Sequence, residues 1–287
     1  MRAPNGTEAD KVIFDADNSL GRHCRLSRYL LPDLALGTSG HRQIARGMRA
    51  VNAIDAIMAS YKAGDYAGAL QNAQLLKQDR ANAQEYYYFS GAMLHPMGRL
   101  PEAEDFLRKA IPLQKEPRLK ALAANTLGLV LLDQGRYEEA IASHEESLHL
   151  WPDRGSSYRA IAEALSPDKQ ELAQALQNAR RAAEIDRAAS GLEPRVLNCK
   201  VGEDLATLAW AVAANSGTTR EVESLLTEAF PLCADQAKAV QAQVHYHAGQ
   251  AYSLLHEREN STQHFRDAAQ IDPNGQFGRM SRDVLTQ

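Results

Sequence analysis

Between Ala121 and Pro152 the apolar positions recur with a helical period over two successive segments. Ala124, Leu127, Gly128 and Leu131 fall on one stripe at i, i+3, i+4 and i+7. Tyr137, Ala140, Ile141, His144 and Leu148 form a second stripe further on. The polar run Asp133-Gln134-Gly135-Arg136 separates the two, and Trp151-Pro152 closes the second. The pattern predicts two amphipathic helices joined by a tight turn. Gly128 and Ala140 are small, so the helices are expected to nest closely, and Gly128→Leu to crowd the partner near Ala140.

The turn signature is repeated along the chain. Gly64-Asp65-Tyr66 with Ala69 returns 34 residues later as Gly98-Arg99-Leu100 with Ala103, and again as Gly135-Arg136-Tyr137 with Ala140, a step of 37. The longer step is assigned to a linker at Lys115-Glu116-Pro117. In the second unit Tyr87, Gly91 and Leu94 line the first helix, which Pro96 ends near His95, while Ala103, Leu107 and Ala110 line the second. A fourth unit places Tyr158, Ala162 and Leu165 before a break at Ser166-Pro167-Asp168, then Ala175, Ala179 and Ala182. Ser190 to Gly202 reads as a linker, marked by Gly191 and Pro194. A fifth unit is degenerate, with its turn at Asn215-Ser216-Gly217. The sixth returns with Ala248-Gly249, Tyr252, Phe265 and Ala268, although its turn, His256 to Glu259, lacks a glycine. Phe277 to Leu285 can form one more amphipathic helix.

Three copies of G-x-[YL]-x-x-A at near-constant spacing resemble the tetratricopeptide repeat (TPR), a helix-turn-helix unit of about 34 residues. The resemblance runs from about Ala50 to Gly275 and implies an all-α, right-handed α-solenoid of about six TPR-like helical hairpins. The units fall near 50–83, 84–120, 121–154, 155–190, 203–236 and 242–275, with a C-terminal capping helix at 276–287 and a short irregular leader at 1–48.

Composition agrees with that class. Apolar residues are 44% and charged residues 24% of the chain, an ordinary globular balance, and the aromatic share of 6% leaves much of the apolar content to alanine. A net charge of −4 gives no clustered basic face for nucleic acid. Apolar runs of membrane-spanning length and a secretory signal pattern are both lacking, and Cys24, Cys199 and Cys233 show no CxxC spacing. The expected compartment is the cytoplasm.

Candidate chemistry is sparse. Lys11-Val12-Ile13-Phe14 ahead of Asp15 and Asp17 is similar to the opening of a haloacid-dehalogenase-like phosphotransferase, but the match covers about nine residues. His245 and His247 are two apart and project about 200° apart round a helix, so they cannot share one metal; no metal site and no cofactor are expected. Phosphate-loop, dinucleotide and nucleophile-elbow motifs are missing. The adjacent carboxylates Glu138-Glu139 and Glu145-Glu146 read as solvated helix surface.

Binding remains. The resemblance implies a concave groove lined by the first helices of successive repeats, which takes up peptides. Its positions map to Tyr88, Phe89 and Ala92 in unit two and Asn125, Leu129 and Leu132 in unit three. They continue to Arg159 and Glu163 in unit four and Tyr246, His247 and Gln250 in unit six. Relatives that clamp acidic chaperone C-termini use lysine and asparagine where this chain has Glu85, Phe89, Leu122 and Thr126, so that specificity is not implied. The sequence thus points to a non-enzymatic scaffold for a protein or peptide partner. A structural or self-assembling module, and thereby a homo-oligomer, is the alternative.

Overall fold

The computed structural model describes residues 50–61, 63–78, 82–165 and 171–286. Asp15, Asp17, Cys24 and the rest of the expected leader lie outside the described residues. Among those described, every regular element is helical, and they form two compact units that divide between Pro152 and Asp153.

The first unit holds α1 (50–61), α2 (Tyr66–Ala73), α3 (Ala83–Leu94), α4 (Leu100–Ala110), α5 (Pro117–Asp133) and α6 (Tyr137–Leu150). The second holds α7 (Gly155–Ala164), α8 (Leu172–Ala188), α9 (Pro194–Ala214), α10 (Thr219–Cys233), α11 (Lys238–Leu254), α12 (Arg258–Ile271) and α13 (Gln276–Leu285). Consecutive helices pair as hairpins, α5 with α6 and α9 with α10 for example, and α13 packs on α12 and α11. The fold class is all-α, built from helical hairpins of the solenoid type.

One backbone device makes the hairpins. At the ends of α1, α3 and α5, Gly64, Gly98 and Gly135 sit at φ +74°, +72° and +73°. The N–H of Gly64 donates to the carbonyl of Tyr61 and the N–H of Asp65 to that of Ser60, both at 2.9 Å. The same two bonds recur at Gly98/Arg99 and at Gly135/Arg136. This is a Schellman closure, which satisfies the last carbonyls of one helix and aims the chain back into the next.

The sixth hairpin keeps the closure without the glycine. His256 stands at φ 62°, its N–H donates to Ser253 at 3.1 Å, and that of Glu257 donates to Tyr252 at 2.9 Å. Left-handed backbone costs a residue with a Cβ more than it costs glycine. His256→Gly is therefore expected to stabilise the protein by about 0.5–1 kcal/mol in a urea titration; an unchanged midpoint would mean the histidine side chain compensates for the strain.

Close nesting is set by a second periodicity. A Cβ built on Gly91 would lie 2.6 Å from Leu107, one on Gly128 2.6 Å from His144, and one on Gly249 2.9 Å from Phe265. In each hairpin the large partner follows sixteen residues after the glycine, so a groove without a side chain receives a knob from the facing helix. This corrects the expected contact at Gly128. Ala140 is buried, but the atoms over the glycine belong to the fully buried ring of His144, one turn further along α6.

Two boundaries also differ from expectation. Pro117 and Pro194 are first-turn residues of α5 and α9, since proline is already set for a helix start and needs no donor there. The linker expected over Ser190 to Gly202 accordingly shrinks to the residues between Ala188 and Pro194. The 37-residue step contains the short 3₁₀ turn Ile111–Leu113 before the 17-residue α5. Tyr137, expected on a core stripe, is 38% exposed at the start of α6. As expected, α3 stops at Leu94 ahead of Pro96; α7 stops at Ala164, and the break expected at Ser166-Pro167-Asp168 lies outside the described residues. The degenerate fifth turn closes through Ser216 at φ 63°, followed by a capping box between Thr218 and Glu221.

Candidate functional site

In the first unit the neighbouring first helices α3 and α5 are tied at two levels. The buried Tyr88 phenol faces Thr126, whose hydroxyl donates to the Leu122 carbonyl at 3.0 Å, and Nε2 of His95 lies 2.7 Å from Oδ2 of Asp133. Each tie is seven residues from the other on both helices, so α3 and α5 run in register. Burial pushes the Tyr88 phenol up to about 12, partly opposed by Thr126. Of the residues assigned to this face, Tyr88, Phe89 and Asn125 are buried. Phe89 is 1% exposed and belongs to the hydrophobic core, so its ring has no surface to offer a ligand. Ala92, Leu129 and Leu132 are half-buried and do present surface.

The second unit carries a charged cluster across α7, α9 and α11. Arg159, on α7, places Nη1 2.7 Å from Oδ1 of Asp204 and Nη2 3.1 Å from Oε2 of Glu203, both on α9; its Nε is 4.0 Å from Oε1 of Glu163. That Glu163 oxygen accepts from the Thr207 hydroxyl at 3.3 Å and the Gln243 amide at 3.4 Å, and Nε2 of His247 lies 3.5 Å away. Behind the cluster, Nζ of Lys200 meets Asp186 at 2.9 Å. Asp204 is fully buried, whereas Arg159, Glu163 and Glu203 keep 13–16% of their side chains exposed, an edge a ligand can reach.

Desolvation and charge pull the carboxylates apart. For Glu163 burial raises the pKa, yet the hydrogen bond and charge of His247, with Arg159 and Thr207, outweigh it and hold the group below the usual range. Burial wins at Glu203, which is raised despite Arg159. It wins further at Asp204, pushed up to about 8 by burial with Asp186 adding to it, although Arg159 opposes. At neutral pH one carboxylate of the set is thus kept ionised and another keeps its proton. Arg159 moves well above its ordinary value, because the three carboxylates overcome the burial that would lower it.

Arg159 and Glu163, assigned to unit four, and His247, assigned to unit six, are brought together. Tyr246 and Gln250 lie beside them on α11, where the Gln250 amide donates to the Tyr246 hydroxyl at 3.2 Å and its Oε1 faces Nδ1 of His247 at 3.1 Å. Tyr246 and His247 are buried and Gln250 is half-buried. Sequence reasoning missed Glu203, Asp204, Thr207 and Gln243. The signal was there: Glu203-Asp204 interrupts the apolar stripe of Val201, Leu205 and Leu208, but α9 was expected to begin too late for that to register.

Of groups able to hold a metal, His245, His264 and Asp267 are the set found among the described residues. No described helix is long and apolar enough to cross a membrane.

Tetratricopeptide-repeat family models match residues 79–150 and 242–274. No curated protein matches the chain. Among solved structures, PilF of Pseudomonas aeruginosa is similar at 12% identity and TM-score 0.56, with 84% of this chain and 99% of that chain covered. The Rap conjugation gene regulator of plasmid pLS20, solved in complex with its Phr peptide, is similar at 14% identity and TM-score 0.57, with 99% and 84% covered. At such identities the likeness concerns the fold.

Proposed function

Because this chain belongs to the tetratricopeptide-repeat superfamily, we propose that it is a non-enzymatic interaction module that takes up a peptide segment of a partner protein on its first-helix faces. The observation that carries the reading is the cluster around Glu163. Three first helices of one unit converge there on donors and acceptors whose outer edge stays open. Arg159, Glu163, Glu203, Gln243 and Gln250, all in the second unit, would meet a peptide main chain and its polar side chains. The Rap regulator's peptide complex supports the class of ligand. The free, buried thiols of Cys199 and Cys233 suit the cytoplasm as its compartment.

Panning a random peptide library against the whole chain tests this. The wild type is expected to enrich a sequence class; Glu163→Gln, which keeps volume and removes charge, and Gln250→Ala, on a half-buried position of the same unit, are expected to lose it with helicity retained. Equal enrichment by both variants would overturn the reading.

One observation favours the alternative of self-assembly. Met280, Val284 and Leu285 of α13 are 37–42% exposed on the helix that covers α12. A capping helix normally turns a polar face outward. Light scattering over a concentration range decides between the readings, since a growing mass that Val284→Lys abolishes would favour assembly.

A further inference from the structure

The two-residue step from His245 to His247 puts the rings on opposite sides of α11, and each finds a different partner. His247 faces Glu163, while His245 faces α12, where His264 and Asp267 lie one turn apart. Nδ1 of His245 is 3.0 Å from Nδ1 of His264 and 3.6 Å from Oδ2 of Asp267, and the three donor atoms lie within 4.8 Å of one another. Ligand atoms around a tetrahedral zinc ion with bonds near 2.0–2.1 Å stand about 3.3 Å apart. The spacing here brackets that edge.

We propose that His245, His264 and Asp267 form a binding site for a divalent transition-metal ion of the zinc class, with water filling the positions the protein leaves open. Two imidazoles and one carboxylate are the donor set that borderline cations prefer over magnesium or calcium.

The surroundings are built for it. The His264 ring is stacked between Phe230 of α10, at 5.3 Å and 14°, and Tyr252 of α11, at 5.4 Å and 6°, so its edge is fixed in direction. Phe230 also packs on His245 at 4.9 Å. The outer oxygen of Asp267, Oδ1, accepts from the Gln263 amide at 2.8 Å, which leaves Oδ2 turned towards His245. An outer hydrogen bond of this kind orients a ligating carboxylate. Side chains of His245 and Asp267 are 22% and 28% exposed, so an ion has a way in. Without an ion, one Nδ1–H donates to the other Nδ1; a cation would take both lone pairs and move that hydrogen to Nε2.

The test uses the whole chain stripped with chelator and titrated with Co²⁺, read by visible absorption, and with Zn²⁺, read by calorimetry. The expected result is one ion bound per chain with d–d bands, both lost in His264→Gln and in Asp267→Asn with helicity retained. Gln263→Ala is expected to bind about tenfold more weakly, and His95→Gln, in the other unit, to bind as the wild type does. Absence of Co²⁺ bands in the wild type, or bands that persist in His264→Gln or Asp267→Asn, would overturn the site and leave an ordinary hydrogen-bonded histidine pair in an aromatic cluster. The outcome is independent of whether the first-helix faces bind peptide.

Discussion

Replacing Arg159 by methionine is expected to lower the unfolding free energy by about 3–5 kcal/mol at pH 8, the scale on which removing one partner of a buried ion pair strands the others. Methionine keeps much of the stem's packing, so volume is not the main loss. Glu163, Glu203 and Asp204 all lose the guanidinium they face. The pH dependence follows from the shifts. The Asp204 pKa is about 8 in the fold, above the ~3.9 of an unfolded aspartate, so its contribution to stability is full below about pH 4 and is lost as pH rises to 8. Arg159 is what restrains that rise, and without it Glu203 and Asp204 climb further. The deficit of Arg159→Met should therefore be larger at pH 8 than at pH 5 in parallel urea titrations. A deficit that is equal at the two values, or larger at pH 5, would show that the cluster is not held by charge.

Much of this architecture is legible in the sequence, because hairpin formation depends on local rules. Gly64, Gly98 and Gly135 mark left-handed closures directly, and the spacing between them gives the repeat. Pro117 and Pro194 misled for a local reason too: proline signals a break and a helix start with equal force, and the sequence alone does not say which. The charged cluster was legible by half. Arg159 and Glu163 sit four apart on one helix face, a short-range relation, whereas Asp204, Thr207 and Gln243 reach them across 44 to 80 residues of chain. The histidine pair shows the same limit. His245 invites comparison with His247, its near neighbour, but its partner His264 is nineteen residues away across a turn. Side chains that meet through tertiary packing leave no periodic trace of that meeting.

The nesting of α5 on α6 yields the second large effect. Gly128→Leu is expected to destabilise the protein by about 1–3 kcal/mol, the cost of forcing methylenes into a filled core. Leucine favours a helix interior over glycine by roughly 0.8–1 kcal/mol, so the crowding must exceed that gain before any loss is seen. It should, because the added Cβ alone meets Cε1 and Nε2 of His144 at 2.6 Å, and that ring is fully buried with no room to swing. His144→Ala supplies the control. If the ring is the obstacle, the double variant will be more stable than the sum of the two single losses allows, with a coupling of about 0.5–3 kcal/mol. Additive losses in thermal or urea unfolding would place the obstacle elsewhere, and Ala140 would again be the neighbour to test. The same pairing at Gly91 with Leu107 and at Gly249 with Phe265 makes the result general: a glycine on the first helix and a large side chain sixteen residues later are one unit of packing, and changing both should cost less than the two single changes added together.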